Sequence, residues 1–217
     1  SYAARNLSLG RDLARLGAET RAEFPITRAT SDPNHVERLY LQLHRAGIHK
    51  LLLMRLFTVG RGHVASDKTL TTLEYLTVIK QLRELERKFG APKVTLQCAL
   101  RHIEAGPAHA SANPCDFVRT SFGLTSRGVL LASPWAINAH GEPLDDAFVL
   151  GNLLETPLST ILTSERVKEI RERADENFGQ CKIFSWQFSD HEASFERLFD
   201  KADPLYSPLP SATVAAE

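Results

Sequence analysis

The chain has little of several features that would narrow its function. Its 26 basic residues (Lys and Arg) equal its 26 acidic residues (Asp and Glu), so the formal net charge is zero. This balance argues against a nucleic-acid or anionic-lipid surface, because such surfaces carry a basic excess. No apolar run approaches the roughly 20 residues that a membrane-spanning helix needs. We therefore expect neither a nucleic acid nor a membrane among its partners.

Cysteine is also scarce. The chain has three, Cys98, Cys115 and Cys181, at irregular spacing. An odd number without a regular pattern does not indicate a disulfide framework. No basic, then apolar, then small-residue leader opens the sequence, so we expect a cytoplasmic protein. The 217 residues suffice for one large domain or two small ones.

The first half of the chain alternates predicted strands with predicted helices. Asp32 before a proline, and Thr71 three residues before Glu74, are signals of helix starts. Crossovers of this length favour parallel strands with right-handed connections, as in an α/β layer or a barrel sector. The predicted elements are a helix at 5–17, strands at 20–27, 49–57 and 93–100, and helices beginning at Asp32 and Thr71.

Alternation within these strands predicts one polar face. If Leu52 and Met54 pack against the helices with the apolar residues of the other strands, several polar side chains point the opposite way. This polar face would carry Arg21, Glu23, Arg55, Thr95 and Gln97, with Phe57 beside them. Packed barrel interiors are normally apolar. A polar lining indicates either a lumen that binds a polar ligand or a network of paired charges, and both stay open.

The second half begins with a predicted β-hairpin. Apolar runs at 129–135 and 147–154 flank the turn residues Asn138, Gly141 and Pro143. Thr156 can cap a following short helix that Pro157 opens. After Asp190 we expect one short helix, then a disordered or surface-lying tail from Pro204.

Residues 128–162 resemble the auxiliary module of radical S-adenosylmethionine enzymes, which is known as the SPASM/twitch domain. The resemblance lies in the Gly151-Asn152 bend and in Pro157-Leu158 followed by Ile161-Leu162. In that family, cysteines of the module hold an iron–sulfur cluster, since soft thiolates suit iron.

The cysteine set of the family is incomplete here. Cys115 and Cys181 stand at cluster positions, and the resemblance therefore makes them candidate metal ligands. Ser133 and Phe184 stand where the family has further cysteines. The two thiols hold a cluster with unusual ligands, or they are relics packed as small hydrophobic side chains. The sequence slightly favours relics.

The resemblance extends into the first half. The run from Leu51 to Gly62, followed by Glu74 and Tyr75 on a helix, is similar to a late strand and loop of the family's barrel. The implied fold is α/β, with a partial parallel (β/α) barrel sector at 1–110 and a small β-hairpin/α auxiliary module at 111–190. A short helix and a tail would follow at 191–217. By position in that barrel, the residues that contact S-adenosylmethionine would be Arg21, Thr27, Arg55 and Phe57.

The family's defining motif, Cys-x-x-x-Cys-x-x-Cys, does not occur in the chain. The resemblance therefore implies the substrate-side, C-terminal portion of a radical S-adenosylmethionine oxidoreductase, inactive by itself. The full-length protein would hold S-adenosylmethionine and a [4Fe-4S] cluster. Its implied partners are a missing N-terminal half or a partner chain, and a small-molecule or peptide substrate.

Three alternatives stay open. The first is a degenerate, non-catalytic module that binds a peptide or a small polar ligand on the polar face. The second is a zinc-stabilised module that uses Cys115, Cys181 and nearby histidines. The third is a metal site in the stretch around residues 102–115, which contains His102, Glu104, His109 and Cys115.

Overall fold

The computed structural model describes residues 2–60, 69–105 and 113–206. They fall into two compact units, Ser1–Pro114 (unit 1) and Cys115–Glu217 (unit 2). Unit 1 contains a three-stranded parallel sheet, and unit 2 contains a three-stranded antiparallel sheet. The fold is therefore mixed α/β. Residues 61–68, which include Gly62 of the run that carries the resemblance, lie outside the described residues.

Unit 1 confirms the predicted alternation of helices and strands. The strands lie in the order β1-β2-β3. The Asp32 side chain accepts a hydrogen bond from the backbone of His35, and Thr71 forms a capping box with Glu74, so both predicted helix starts are confirmed. The elements are α1 (Tyr2–Arg15), β1 (Arg21–Pro25), α2 (Pro33–Arg45), β2 (Lys50–Met54), α3 (Thr72–Phe89), β3 (Lys93–Leu96) and α4 (Cys98–Ala105).

The register of β2 reverses the orientation predicted for it. Leu53 aligns with Phe24 and Leu96, and all three are buried. Leu52 instead aligns with Glu23 and Thr95, which are exposed. The prediction that Leu52 faces the helices is therefore wrong. A nearly continuous apolar strand carries no period-two signal from which its orientation could be derived.

The third predicted strand is shorter than expected. The backbone N–H of Gln97 still donates to the carbonyl of Leu53, but α4 begins at Cys98. The interpretation of 98–100 as strand is wrong. Ala99 and Leu100 are buried on one side of α4, and so short an apolar run suits either structure.

Unit 2 confirms the predicted hairpin, in which β5 pairs antiparallel with β6. Thr156 does not cap the next helix, because Pro157 occupies the N-cap position. Arg166 joins the hairpin to a helix, since its guanidinium donates to the carbonyls of Val149 and Ala147, each at 2.9 Å. The elements are β4 (Gly123–Leu124), β5 (Val129–Leu131), β6 (Val149–Asn152), α5 (Leu158–Leu162), α6 (Glu165–Arg173), α7 (Lys182–Phe188) and α8 (Ser194–Arg197).

The segment after residue 190 belongs to unit 2. Leu198 and Leu205 are buried, and the Tyr206 hydroxyl donates to the carbonyl of Gly179 at 2.8 Å. The predicted tail therefore packs onto the unit as far as Tyr206, and residues 207–217 lie outside the described part. No helix among the described residues has the length and apolarity that crossing a bilayer requires.

Candidate functional site

The four residues predicted to contact S-adenosylmethionine lie at two ends of the sheet in unit 1. Arg21 begins β1, and its guanidinium pairs with Glu23 at 2.6 Å. Thr27 follows the C-terminal end of β1, and Arg55 and Phe57 follow that of β2. A five-residue strand is about 16 Å long. Arg21 is therefore separated from the other three residues, which lie together at the C-terminal ends of the strands.

Arg55 and Thr27 are both engaged by neighbouring residues. Arg55 is only 6% exposed, and its guanidinium lies beside the Tyr75 hydroxyl of α3. It is thus turned toward a helix and not toward the predicted polar face. The Thr27 hydroxyl lies 3.1 Å from that of Thr30 in a local cap. In this arrangement the four residues do not form one S-adenosylmethionine site.

A groove of about 800 Å³ runs along β1 between α1 and α2. Its walls include Leu13, Leu43 and Ile48, and its polar rim includes Arg21 and Glu23. Apolar walls with a few charged groups are the usual composition of a binding cleft. The groove is therefore the candidate ligand site of unit 1.

Among the described residues, β1 is an outer strand of the sheet, and the groove follows its outer edge. The Thr20 carbonyl accepts from the N–H of Lys50, and the Ile26 N–H donates to the carbonyl of Met54. In a parallel pair, alternate residues of a strand bond to the same neighbour. The backbone groups of Arg21 and Glu23 must then point away from β2, toward the outer side of the sheet.

In unit 2, one of the two candidate metal ligands, Cys181, directly precedes a buried lysine. Lys182 is 1% exposed, and its Nζ donates to the Ala174 carbonyl at 2.8 Å and to Asn177 Oδ1. Burial lowers the pKa of Lys182, and the thiols of Cys115 and Cys181 are close enough to oppose that shift. The sequence interpretation missed Lys182, although a lysine directly before the largely apolar stretch from Ile183 to Phe188 was a usable signal.

Asn177 connects this lysine to the C-terminal segment. Its side chain is fully buried, and Nδ2 lies 3.1 Å from Ser185 Oγ, 2.9 Å from the Leu198 carbonyl and 2.8 Å from the Asp200 carbonyl. Because Asn177 Oδ1 also accepts from Lys182, the Asn177 amide joins the segment after α6 to α7 and to the segment after α8. Buried polar groups with their hydrogen bonds satisfied fix a single arrangement of the chain.

Separate contacts fix each cysteine. The Cys181 N–H donates to Asp203 Oδ2 at 3.0 Å, and Asp203 is itself buried. Three residues after Cys115, Val118 has a φ of 55°, a strained value for a β-branched residue. Two hydrogen bonds hold the strained backbone of Val118. Its N–H donates to the carbonyl of Ala132, and its carbonyl accepts from Arg171 Nε at 3.0 Å.

These residues do not fit a conventional [4Fe-4S] cluster, which needs four soft ligands. Ser133 is buried, and its hydroxyl lies 3.3 Å from the backbone N–H of Trp135. Phe184 is buried, and its ring is parallel to that of Phe188. Two thiols and a buried ammonium group remain, and an ammonium group is not a metal ligand. Among the described residues, no group of three or more His, Cys, Asp or Glu side chains could hold a metal ion.

The predicted metal stretch around residues 102–115 lies only in part among the described residues. His102 is buried within α4, and both carboxylate oxygens of Glu104 accept from Arg83 at 2.7 and 2.9 Å. His109 lies outside the described residues, and Cys115 belongs to unit 2. His102 and Glu104 are accounted for by packing and by an ion pair within unit 1.

His102 predicts a pH dependence of stability. Burial lowers the pKa of His102 below its ordinary value of 6.5, so the unfolded chain takes up a proton first as the pH falls. The contribution to stability is present above pH 6.5 and is lost as the pH falls through the folded-state pKa. We expect His102→Gln to weaken this acid-side loss in urea unfolding followed by far-UV circular dichroism. The exposed His140→Gln serves as control, and an equal effect of both variants would contradict the prediction.

Comparison with known proteins does not assign either site. No protein-family model matches the chain, and no curated protein and no solved structure shows significant similarity to it.

Proposed function

We propose that the chain is the substrate-side, C-terminal portion of a radical S-adenosylmethionine iron–sulfur oxidoreductase. Unit 1 would be a sector of the partial (β/α) barrel, and unit 2 would be a SPASM/twitch-like module that has lost cysteine ligands. The observation that carries the proposal is the incompletely covered parallel sheet of unit 1.

Parallel sheets are almost always covered on both faces, because the connections between their strands place helices there. In unit 1 the helix-facing residues Leu51 and Leu53 are fully buried, whereas Glu23 and Thr95 on the other face are exposed. The outward backbone groups of Arg21 and Glu23 add a free edge. A polar face and a free edge are what a barrel sector presents when further strands are to complete it.

Unit 2 supports the proposal through contacts between the residues that carry the resemblance. A side chain at Gly151 would meet Ile161 Cδ1 at 2.9 Å, so the bend of β6 and helix α5 pack on each other through this glycine. The side chains of Cys115 and Cys181 both interact electrostatically with the Lys182 ammonium, although the two cysteines are far apart in sequence. These contacts support a scaffold of that kind with a reduced set of ligands.

The proposal divides the chemistry between two parts of the enzyme. S-adenosylmethionine on a cluster supplies radical chemistry, and that cluster requires three thiolates of a motif that this chain lacks. The chain would contribute the lumen side of its sheet, and Thr27 and Phe57 at the strand ends would be its contacts toward the cofactor. The chain alone is predicted to be inactive.

The test is to express the native reading frame that encodes these residues and reconstitute the product anaerobically with iron and sulfide. We expect a longer protein that contains Cys-x-x-x-Cys-x-x-Cys and releases 5′-deoxyadenosine from S-adenosylmethionine in the presence of dithionite. The 217-residue chain should release none. A native product that lacks the motif and does not bind S-adenosylmethionine would overturn the proposal.

That negative result would favour a second candidate, a non-catalytic module that binds a peptide or a small polar ligand. The observation in its favour is the groove along β1, whose charged rim contains Arg21 and Glu23. A ligand found by screening should then lose affinity in Arg21→Ala but not in Lys168→Ala, whose ion pair lies on α6 of unit 2.

A further inference from the structure

Unit 2 has a buried cation where the resemblance places an iron–sulfur cluster. We propose that this unit folds without metal, and that the hydrogen bonds of Lys182 cross-link α7 to the end of α6 where a cluster would otherwise join segments of the unit. That a cluster would otherwise occupy this position rests on the proposed function, whereas the metal-free fold held by Lys182 does not.

The first argument is the hydrogen bonding of the ammonium group. An ammonium group has three donors, and two of them go to the Ala174 carbonyl and to Asn177 Oδ1. A buried charge persists only where its hydrogen bonds are made. Both acceptors lie at or just after the end of α6, whereas Lys182 begins α7, so these two hydrogen bonds link the two helices.

The second argument is that the ligand set of a cubane cannot be completed here. A cubane needs four soft ligands, and the resemblance leaves two thiols, Cys115 and Cys181. The two further positions of the family's ligand set, Ser133 and Phe184, offer a weak hydroxyl and a phenyl ring. At most two of the four thiolate bonds could therefore form.

The third argument is that hydrogen bonds already connect the segments around the cysteines. Asn177 reaches the carbonyls of Leu198 and Asp200, and Asp203 accepts from the Cys181 backbone. The C-terminal segment is thereby tied to the cysteine loop without a metal. Such a module has no electron carrier, so the proposal excludes a role for unit 2 in electron relay. The role that remains is to shape the substrate lumen or to bind the substrate.

The direct test uses the whole chain. The protein is reconstituted anaerobically with ferrous iron and sulfide, then desalted and analysed for iron, acid-labile sulfide and visible absorbance. Thermal unfolding is followed by tryptophan fluorescence with and without a chelator, because Trp135 and Trp186 both lie in unit 2. We expect no stoichiometric iron or sulfide and an unchanged Tm. Stoichiometric cluster binding that disappears in Cys115→Ser or Cys181→Ser would overturn the inference.

A variant pair tests the role of the lysine. Lys182→Met keeps the length of the side chain but removes its donors, and we expect the Tm to fall by about 5 °C or more. Lys168→Met is the matched control, since this exposed lysine makes a single ion pair with Glu165. Equal Tm values for Lys182→Met and the wild type would contradict the cross-linking role. Iron analysis of the wild type stays informative if Lys182→Met does not fold.

A third variant separates this inference from the proposed function. Ser133→Cys and Phe184→Cys, combined with Lys182→Ala, would restore four thiols at the family's positions. Gain of a cluster by this variant and not by the wild type supports both the inference and the resemblance. A Tm loss in Lys182→Met without any cluster in the triple variant upholds the inference and counts against the resemblance.

Discussion

Replacing Leu53 by alanine is expected to reduce the free energy of unfolding of unit 1 by about 2–5 kcal/mol. Leu53 is fully buried and lies in register with Phe24 and Leu96, so truncation leaves a cavity at the centre of the helix-facing side. Urea unfolding followed by far-UV circular dichroism measures the loss. Tryptophan fluorescence provides an internal reference, because both tryptophans belong to unit 2.

Leu52→Ala is the matched control for Leu53→Ala. Leu52 is the adjacent residue of the same strand, is half-buried, and aligns with Glu23 and Thr95 on the polar face. Its truncation should cost about 1 kcal/mol or less, since only part of a leucine side chain leaves contact. If Leu52→Ala proves as damaging as Leu53→Ala, either the register of β2 is wrong or the polar face is covered in solution.

Replacing Asn177 by alanine is expected to reduce the free energy of unfolding of unit 2 by about 3–5 kcal/mol. The variant removes the acceptor of the Lys182 ammonium and the donors to the carbonyls of Leu198 and Asp200. A buried charge that loses a partner has a large cost, because no water replaces the bond. Tryptophan fluorescence during urea unfolding reports this loss through Trp135 and Trp186.

Asn138→Ala is the control for Asn177→Ala. Asn138 Oδ1 accepts from the backbone of His140 and of Glu142 in a solvent-accessible turn, where water can replace the lost acceptor. We expect a loss of about 1 kcal/mol or less. Comparable losses in the two variants would show that Asn177 contributes only a local turn bond and that the network around Lys182 does not hold unit 2 together.

Local signals in the sequence determined the elements of this protein. The caps at Asp32 and Thr71, with Gly90 at the end of α3, depend on backbone groups within one turn of each residue. The hairpin of β5 and β6 follows from apolar runs on either side of a turn. Parallel pairing in unit 1 follows because the crossovers are long enough to hold a helix. Each inference needs only residues that are close in sequence.

Only the tertiary structure decided which way side chains point and which of them meet. The orientation of β2 depends on neighbouring strands, because an apolar run fits the core with either face. Residues 98–100 were predicted as strand for the same reason, because a short apolar run suits a strand or a helix, and in the structure they begin α4. The hydrogen bonds of Asn177 with the carbonyls of Leu198 and Asp200, beside the buried Lys182, arise from packing of segments far apart in the chain. A lysine enters the core only where other segments supply its acceptors, and no local pattern encodes those acceptors.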